Sequence, residues 1–401
     1  MAGARRGPMM SAAAVMLRAV LRYGPVPRSR IARLTGLSPA AVTRQYGALA
    51  ERGLVSEVDG PVRSNGVGRP HVPVDVDTRR HVVAGIHVAH DFCTIALLDL
   101  RGRVLATRRL PHPSDDPARV LTEAANRLTV LQAEELPGQV PLGLGVAAGG
   151  WVDPDDGVLV EHASLGWQRV PVRSLLTGVV GLPVMVDSHA RALAAAERLF
   201  GAAAGRGSVV HLFVGNVVDA AIVTDGVTHR GPRSAAGEVA HLAVGDPAVR
   251  CACGGRGCLE ATVAEWAWAR RAYDAGVIAR PSFVDLIDAA RAGDATARAW
   301  FVERTRIIGR AAALLFDIVN PETLVVTEQG VLHVPECVTA LREEVAARSR
   351  VCADPAADVV PTSFGPDDLL AVAAGAVQLD AVYTDPLSLR RNTFPIGASH
   401  G

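Results

Sequence analysis

The sequence predicts a layered α/β body of two similar lobes, carrying a small basic helical head. Strands followed repeatedly by helices predict the body. A strand-rich start that occurs twice, from Val82 and again from Val209, predicts its duplication. Charge predicts the head. Residues 1–80 hold 13 arginines against 5 acidic residues, whereas residues 81–401 hold 28 against 36. The net charge of zero conceals this asymmetry, and a basic head on an acidic body points to a polyanion as the head's partner. All 41 basic residues are arginine, which speaks of a biased genome rather than of function.

The head reads as a winged helix-turn-helix. Residues 11–22 form a first helix, with Val15, Met16, Ala19 and Val20 at helical spacing, broken by Pro25 and Pro27. Arg28–Thr35 forms a second, stopped at Gly36. Ser38 is an N-cap and Pro39 a first helical residue, opening a third helix that ends near Gly53. Val42, Tyr46 and Leu49 mark its inner face; Ala40, Thr43, Arg44 and Gly47 mark the other. A strand starts at Leu54, a glycine-rich wing covers 59–70, and a strand follows at 72–76. Small side chains on the outer face of the third helix suit close approach to a major groove, where Arg44 reaches guanine or phosphate. Arg28 is placed to meet the DNA backbone, and Arg69 of the wing to enter a minor groove. The plain alternative is a small helical domain with solvated arginines.

Within the body, strands are expected at 82–88, 93–99, 104–110 and 141–148, with a helix at about 117–134. Helices and strands alternate through 171–200. The second lobe begins with strands at 209–214 and 220–224. Helices at about 282–292 and 296–319 lead to a strand at 324–327, and a last helix spans about 367–383. The units are therefore the head at 1–80, a first lobe at 81–201 completed by the helix at about 366–385, a second lobe at 202–365, and a tail at 386–401.

The densest chemical signal lies in the second lobe, at 241–260. His241 precedes Cys251, Cys253 and Cys258, the thiols separated by glycines. One imidazole and three thiols are the ligand set of a closed structural zinc site. The alternative is a group of small buried cysteines beside a core histidine. Cys93, Cys337 and Cys352 are isolated and read as ordinary core residues. No signal peptide is evident, since Arg18 interrupts the apolar stretch 12–21, and no run approaches the ~18 apolar residues of a membrane helix. A cytoplasmic, reducing compartment follows, which favours metal over disulfides.

The order of helix-turn-helix, Gly68-Arg69-Pro70 wing, strand-rich lobe, and Gly237-Glu238-x-x-His241 followed by the cysteine cluster and Glu260 resembles the ROK family of repressors and sugar kinases. Ser164-Leu165-Gly166-Trp167, the stretch from Ala194 to Gly201, and Gly375-Ala376 add to the likeness. The resemblance implies an actin/hexokinase-type (ASKHA) fold, a sugar-sized cleft between lobes, and a homodimer or homotetramer suited to a palindromic operator.

The kinase parts of that family are absent here. The first phosphate loop, Gly-x-Asp-x-Gly-Gly-Thr, is replaced by Gly85-Ile86-His87-Val88-Ala89-His90-Asp91. The second, Gly-Thr-Gly-x-Gly, is replaced by Gly215-Asn216-Val217-Val218-Asp219. The glycine pair facing adenosine is Glu328-Gln329. The Asn-Asp that supplies the catalytic base eight residues before Glu197 is Ser188-His189. Phosphoryl transfer rests on positioning and charge stabilisation, so neither kinase activity nor ATP binding is expected.

By the same resemblance Glu238, His241 and Glu260 remain as effector contacts, opposite Ser188 and His189, with Gly149-Gly150 lining the cleft as backbone. Exchange of the aspartate for His189 implies a pocket tolerant of a negatively charged sugar, such as a sugar phosphate, or of an amino sugar. The expected function is a sugar-responsive DNA-binding repressor with a catalytically inactive kinase-type sensor. The rivals are a regulator signalled by a protein partner and an ATP-dependent sugar kinase.

Overall fold

The computed structural model describes residues 10–58 and 72–388. The head comprises α1 (Ala12–Tyr23), β1 (Val26–Pro27), α2 (Arg28–Thr35), α3 (Pro39–Glu51), β2 (Val55–Glu57) and β3 (Pro73–Val76). Its boundaries follow from local chemistry. The Ser11 hydroxyl accepts from the Ala14 N–H, and that of Ser38 from the Ala41 N–H, closing the first turns of α1 and α3. Gly36 ends α2 in the left-handed conformation. The three strands form one small antiparallel sheet in the order β1-β3-β2. The wing expected at 59–70, including Arg69, lies outside the described residues.

The first lobe contains β4 (His81–Val88), β5 (Phe92–Leu98), β6 (Val104–Pro111), α4 (Pro117–Glu135), β7 (Val140–Ala148), β8 (Trp151–Asp153), β9 (Val158–His162), β10 (Trp167–Val170), α5 (Val172–Val180), β11 (Val184–Ser188) and α6 (His189–Phe200). The second contains β12 (Val209–Val214), β13 (Val218–Thr224), β14 (Val227–His229), α7 (Leu259–Val263), α8 (Glu265–Asp274), α9 (Phe283–Arg291), α10 (Ala295–Val319), β15 (Thr323–Glu328), α11 (Gln329–His333), α12 (Pro335–Arg348), α13 (Pro355–Asp358) and β16 (Val359–Pro361). A final helix, α14 (Leu369–Thr384), returns to the first lobe.

The internal duplication is real at the level of topology. The main sheet of the first lobe runs β11-β7-β4-β5-β6 and that of the second β14-β13-β12-β15-β16. In each, the first two strands pair antiparallel, and the first pairs parallel with the fourth. This is the actin/hexokinase-like α/β arrangement. Every residue of β4 and β12 is buried, as expected for strands covered on both faces.

Helix α14 lies directly on β4 and β7. A methyl group on Gly85 would meet the Ala374 Cβ at 2.8 Å, and one on Gly145 the Ala374 carbonyl oxygen at 2.3 Å. Both glycines are thus required by the close approach of helix and sheet. The other side of α14 meets the head. Met16, Leu17 and Val20 of α1 share one continuous apolar cluster with Val83, Leu98 and Leu100 of the first lobe and with Leu379, Val382 and Tyr383 of α14. Polar ties reinforce the seam. The Arg18 Nε donates to the Tyr383 carbonyl at 3.1 Å, and the Tyr383 hydroxyl to the Leu100 carbonyl at 2.6 Å. Arg101 donates to the Leu21 carbonyl and pairs with Asp75. The head is therefore not tethered by a loose linker; its core is continuous with that of the first lobe.

Truncating Leu17 to alanine removes apolar volume from this shared core and is expected to cost about 2–5 kcal/mol. Urea denaturation followed by far-UV circular dichroism measures the loss, and a value under about 1 kcal/mol would show the head to be independently seated.

Candidate functional site

The four metal-ligand candidates converge. Ligand atoms of His241, Cys251, Cys253 and Cys258 all lie within 4.8 Å of one another. The Cys251 Sγ is 3.6 Å from the His241 Nδ1, and the Cys253 and Cys258 sulfurs are 3.6 Å apart. A tetrahedron with metal–sulfur bonds of about 2.3 Å and a metal–nitrogen bond of about 2.0–2.1 Å has edges of roughly 3.6–3.8 Å, so the donor set fits a zinc-sized ion. Backbone pairing shapes the loop: the Cys251 N–H donates to the Gly255 carbonyl and the Gly257 N–H to that of Val249. Its root is sealed by the Leu259 N–H on the Leu242 carbonyl and the Glu260 N–H on that of Ala240. The Gly255 N–H, 3.4 Å from the Cys253 sulfur, helps lower that thiol's pKa. The neighbouring cysteines act in the same direction.

The cluster is joined to the junction of the lobes through the start of β13. The Glu260 Oε2 accepts from the Val218 N–H at 3.0 Å. Burial raises the Glu260 pKa, and the nearby carboxylates of Glu238 and Asp219 add to it. Glu238 is exposed and follows Gly237, whose φ of +95° and position 1.8 Å from the Ala220 carbonyl, measured from an added Cβ, exclude a side chain. Next to Val218, the Asp219 Oδ1 receives the His189 Nε2 at 3.1 Å, across the junction. A Cβ on Gly149 would stand 3.0 Å from the Val217 Cγ2 and 3.2 Å from the His189 Cε1. Gly149 therefore marks the closest approach of the two lobes here. Gly150, with φ +78°, turns the chain between β7 and β8.

Ser188 is 3 % exposed, and its hydroxyl caps α6 by accepting from the Arg191 N–H. His189 is paired with Asp219, whose carboxylate also acts on Glu260 together with that of Glu238. Asp219 of the altered second loop thus serves as the partner of His189. At residues 230–234 a side chain outside the expected set carries the geometry. Arg191, buried, pairs with Asp187 and donates to the Val152 and Ser234 carbonyls. Trp151 adds a bond from its Nε1 to the Arg233 carbonyl at 2.7 Å, and Arg230 pairs with Asp155 at 3.1 Å. These contacts sew residues 230–234 of the second lobe onto the first. The spacing of Asp187 and Arg191, four apart across a helix start, was the available sequence signal.

The open cavity lies on the other side, among the altered phosphate loops. It has a volume of about 240 Å³ and is lined by His87, His189, Phe213, Val217, Glu265 and Phe283, among others. Glu328 occupies the place of the adenosine-facing glycines. It is buried and held by Arg304 at 2.5 Å, by Thr305, and by the Gly330 and Val331 N–H groups. Burial raises the Glu265 carboxyl from 4.5 to about 7, the Glu328 carboxylate adding to the rise while Arg304 opposes it.

In the head, Ala40, Thr43, Arg44 and Gly47 are all exposed, forming one outer face of α3. Arg28 is engaged within the head instead, 2.5 Å from Glu57 and stacked 3.7 Å above the Tyr46 ring. Among the described residues no helix is long and apolar enough to cross a membrane. Cys93 and Cys337 are buried, as expected for core residues.

Comparison with known proteins gives a consistent picture. The family model described as ROK family matches residues 83–379. A transcriptional regulator of Mycobacterium tuberculosis is 36% identical over 402 residues, covering 97% of this chain and 89% of the relative. The xylose repressor of Caldicellulosiruptor bescii is 28% identical over 353 residues, covering 84% of this chain and 87% of the repressor. The crystal structure of a ROK family transcriptional regulator described as a homolog of the Escherichia coli MLC protein shares the fold, with a TM-score of 0.75 at 22% identity, covering 94% of this chain and 96% of that one.

Two outcomes test the site. Cys253→Ser should release the bound metal, about one equivalent by elemental analysis of the wild type, and lower the thermal midpoint. Glu265, whose pKa is raised on folding, contributes stability that is complete below about pH 4.5 and is lost as pH rises to about 7. Urea midpoints at pH 5 and pH 7.5 should therefore fall more for wild type than for Glu265→Gln.

Proposed function

The chain belongs to the ROK family, and from that membership we propose a sugar-responsive, DNA-binding repressor whose kinase-type body senses and does not catalyse. The observation that carries the reading is the exposed face of α3, seated on a head whose core is continuous with the first lobe. Ser38, Ala40, Thr43 and Arg44 meet base edges or phosphates in the major groove, and Arg69 reaches the backbone or minor groove from the wing. Arg28 buttresses this surface through Glu57 and Tyr46. Two heads in a homodimer or homotetramer read the halves of a palindromic operator.

The effector contacts are Glu238, Glu260 and His241, with His189 and Gly149 facing them across the junction. His241, Cys251, Cys253 and Cys258 hold a zinc ion, which supplies rigidity when bound and leaves the imidazole Nε2 to face the ligand. Three carboxylates around this point favour an uncharged or amino sugar over a sugar phosphate. The xylose repressor supports a sugar as the class of effector. Binding changes the contacts that sew residues 230–234 onto the first lobe. The heads follow, because each moves with its first lobe. A coupling of about 1–3 kcal/mol is sufficient.

Loss of catalysis rests on the substitutions themselves. His189 already hydrogen-bonds Asp219, Val217 presses on Gly149, and Glu328 is consumed by Arg304.

Gel shifts with DNA flanking the gene test the reading. The protein should retard a specific fragment, and xylose, glucose, N-acetylglucosamine, glucosamine or mannose should release it. Arg44→Ala should weaken binding by about 1–3 kcal/mol. Absence of any specific retardation, or turnover of ATP in the presence of these sugars, would remove the proposal.

A further inference from the structure

His87 of β4, His189 of α6 and Phe213 of β12 form one row across the junction. The two imidazoles stack in parallel, centroids 5.7 Å apart and planes within 7°, and His189 lies 3.9 Å from the Phe213 ring. All three line the open cavity. His87 is 3 % exposed, yet among the described residues neither of its ring nitrogens has a hydrogen-bond partner. The Nδ1 of His189, 4 % exposed, has none either. Buried polar groups are normally paired, so unpartnered imidazole nitrogens beside an open cavity call for a partner that enters it.

We propose that this cavity is a second ligand site, which meets the effector contacts beside the zinc loop only at His189 and Gly149. Its ligand is an uncharged molecule with an apolar ring and a hydroxyl or amide edge. The edge meets His87 and His189, and the ring lies against Phe213, Phe283, Ile287 and Leu369.

The ligand class follows from the unpartnered ring nitrogens of the wall and the apolar rings beside them. Burial, with His189 and His162 nearby, holds His87 well below the usual imidazole range, so at neutral pH it offers one donor and one acceptor. The His189 Nε2 is already engaged by the Asp219 carboxylate, so its Nδ1 is the ring position left without a partner. A hydroxyl or amide satisfies donor and acceptor together. An anion finds little positive charge there. Asp91 lines the same space, Glu328 is paired with Arg304, and the arginine of the lining, Arg109, is exposed and stacks on Phe92 at 5.3 Å. Polyphosphate is opposed for the same reason.

The site does not depend on the sugar reading, although the row joins both lobes and its occupancy bears on their spacing. 2-Naphthol is the probe, with 2-naphthoate as its anionic counterpart and magnesium-ATP as the nucleotide. Calorimetry on the full-length protein should give saturable, single-site 2-naphthol binding. His87→Phe, which retains a stacking ring without nitrogens, should weaken it about tenfold, and Ile287→Trp, which fills the cleft from α9, should abolish it. 2-Naphthoate should bind at least about tenfold more weakly than 2-naphthol. Absence of saturable 2-naphthol binding overturns the site. So does full affinity in both variants. Equal binding of 2-naphthoate or magnesium-ATP overturns the ligand class. Thermal unfolding verifies each variant, and Ile287→Trp decides alone if His87→Phe does not fold. A sugar that releases DNA without displacing 2-naphthol distinguishes the two sites.

Discussion

The apolar seam between α1, the first-lobe sheet and α14 is the constraint on which the rest depends. Met16, Leu17 and Val20 share one apolar cluster with Ile31, Val42 and Leu49 of the head and with residues more than sixty positions away, so the core of the head runs on into that of the first lobe. Hydrophobic burial is non-directional, and a seam held by it alone would permit sliding. Arg18 on the Tyr383 carbonyl and Arg101 on the Leu21 carbonyl add the directionality. Helix α14 then ties the seam to the centre of the molecule, because Gly85 and Gly145 let it descend onto β4 and β7 within a few residues of His87 and Gly149.

The junction between lobes is consequently divided into two unlike halves. On one side Arg191, Trp151 and Arg230 fasten residues 230–234, next to Glu238 and the zinc loop. On the other, a cavity is walled by imidazoles and aromatic rings. The His189–Asp219 pair stands between them. One exchange in the kinase pattern, an acid for His189, is balanced by another, an acid at Asp219 in the former phosphate loop. Charge at the junction is redistributed rather than reversed, which is why a preference for anionic sugars does not follow from His189 alone.

Local signals were the legible ones. Ser38 and Pro39 announced the start of α3, Gly36 the end of α2, and the cysteine spacing the metal cluster, because each depends on residues within one or two turns. The exposed set Ala40, Thr43, Arg44 and Gly47 was legible from helical period. The small sheet of β8, β9 and β10 was not, since its strands are only three to five residues long. Helix α12 was passed over too, although Cys337, Ala340, Leu341 and Val345 fall on one helical face. Ser188 stands at a strand end beside a helix start, and its capping of α6 through the Arg191 N–H is set by the local backbone there.

The amino-acid sequence by itself determined the order of the main elements, the family, the His-Cys donor set and the departures from the phosphate-loop pattern. All of these reside in residue type and short spacing. Tertiary structure alone decided which charges meet: His189 with Asp219, Arg28 with Glu57, Arg304 with Glu328. It also decided that the unpartnered nitrogens of His87 face a cavity. Partners separated by 24 to 30 residues are brought together by strand register and lobe packing, and no local period records them.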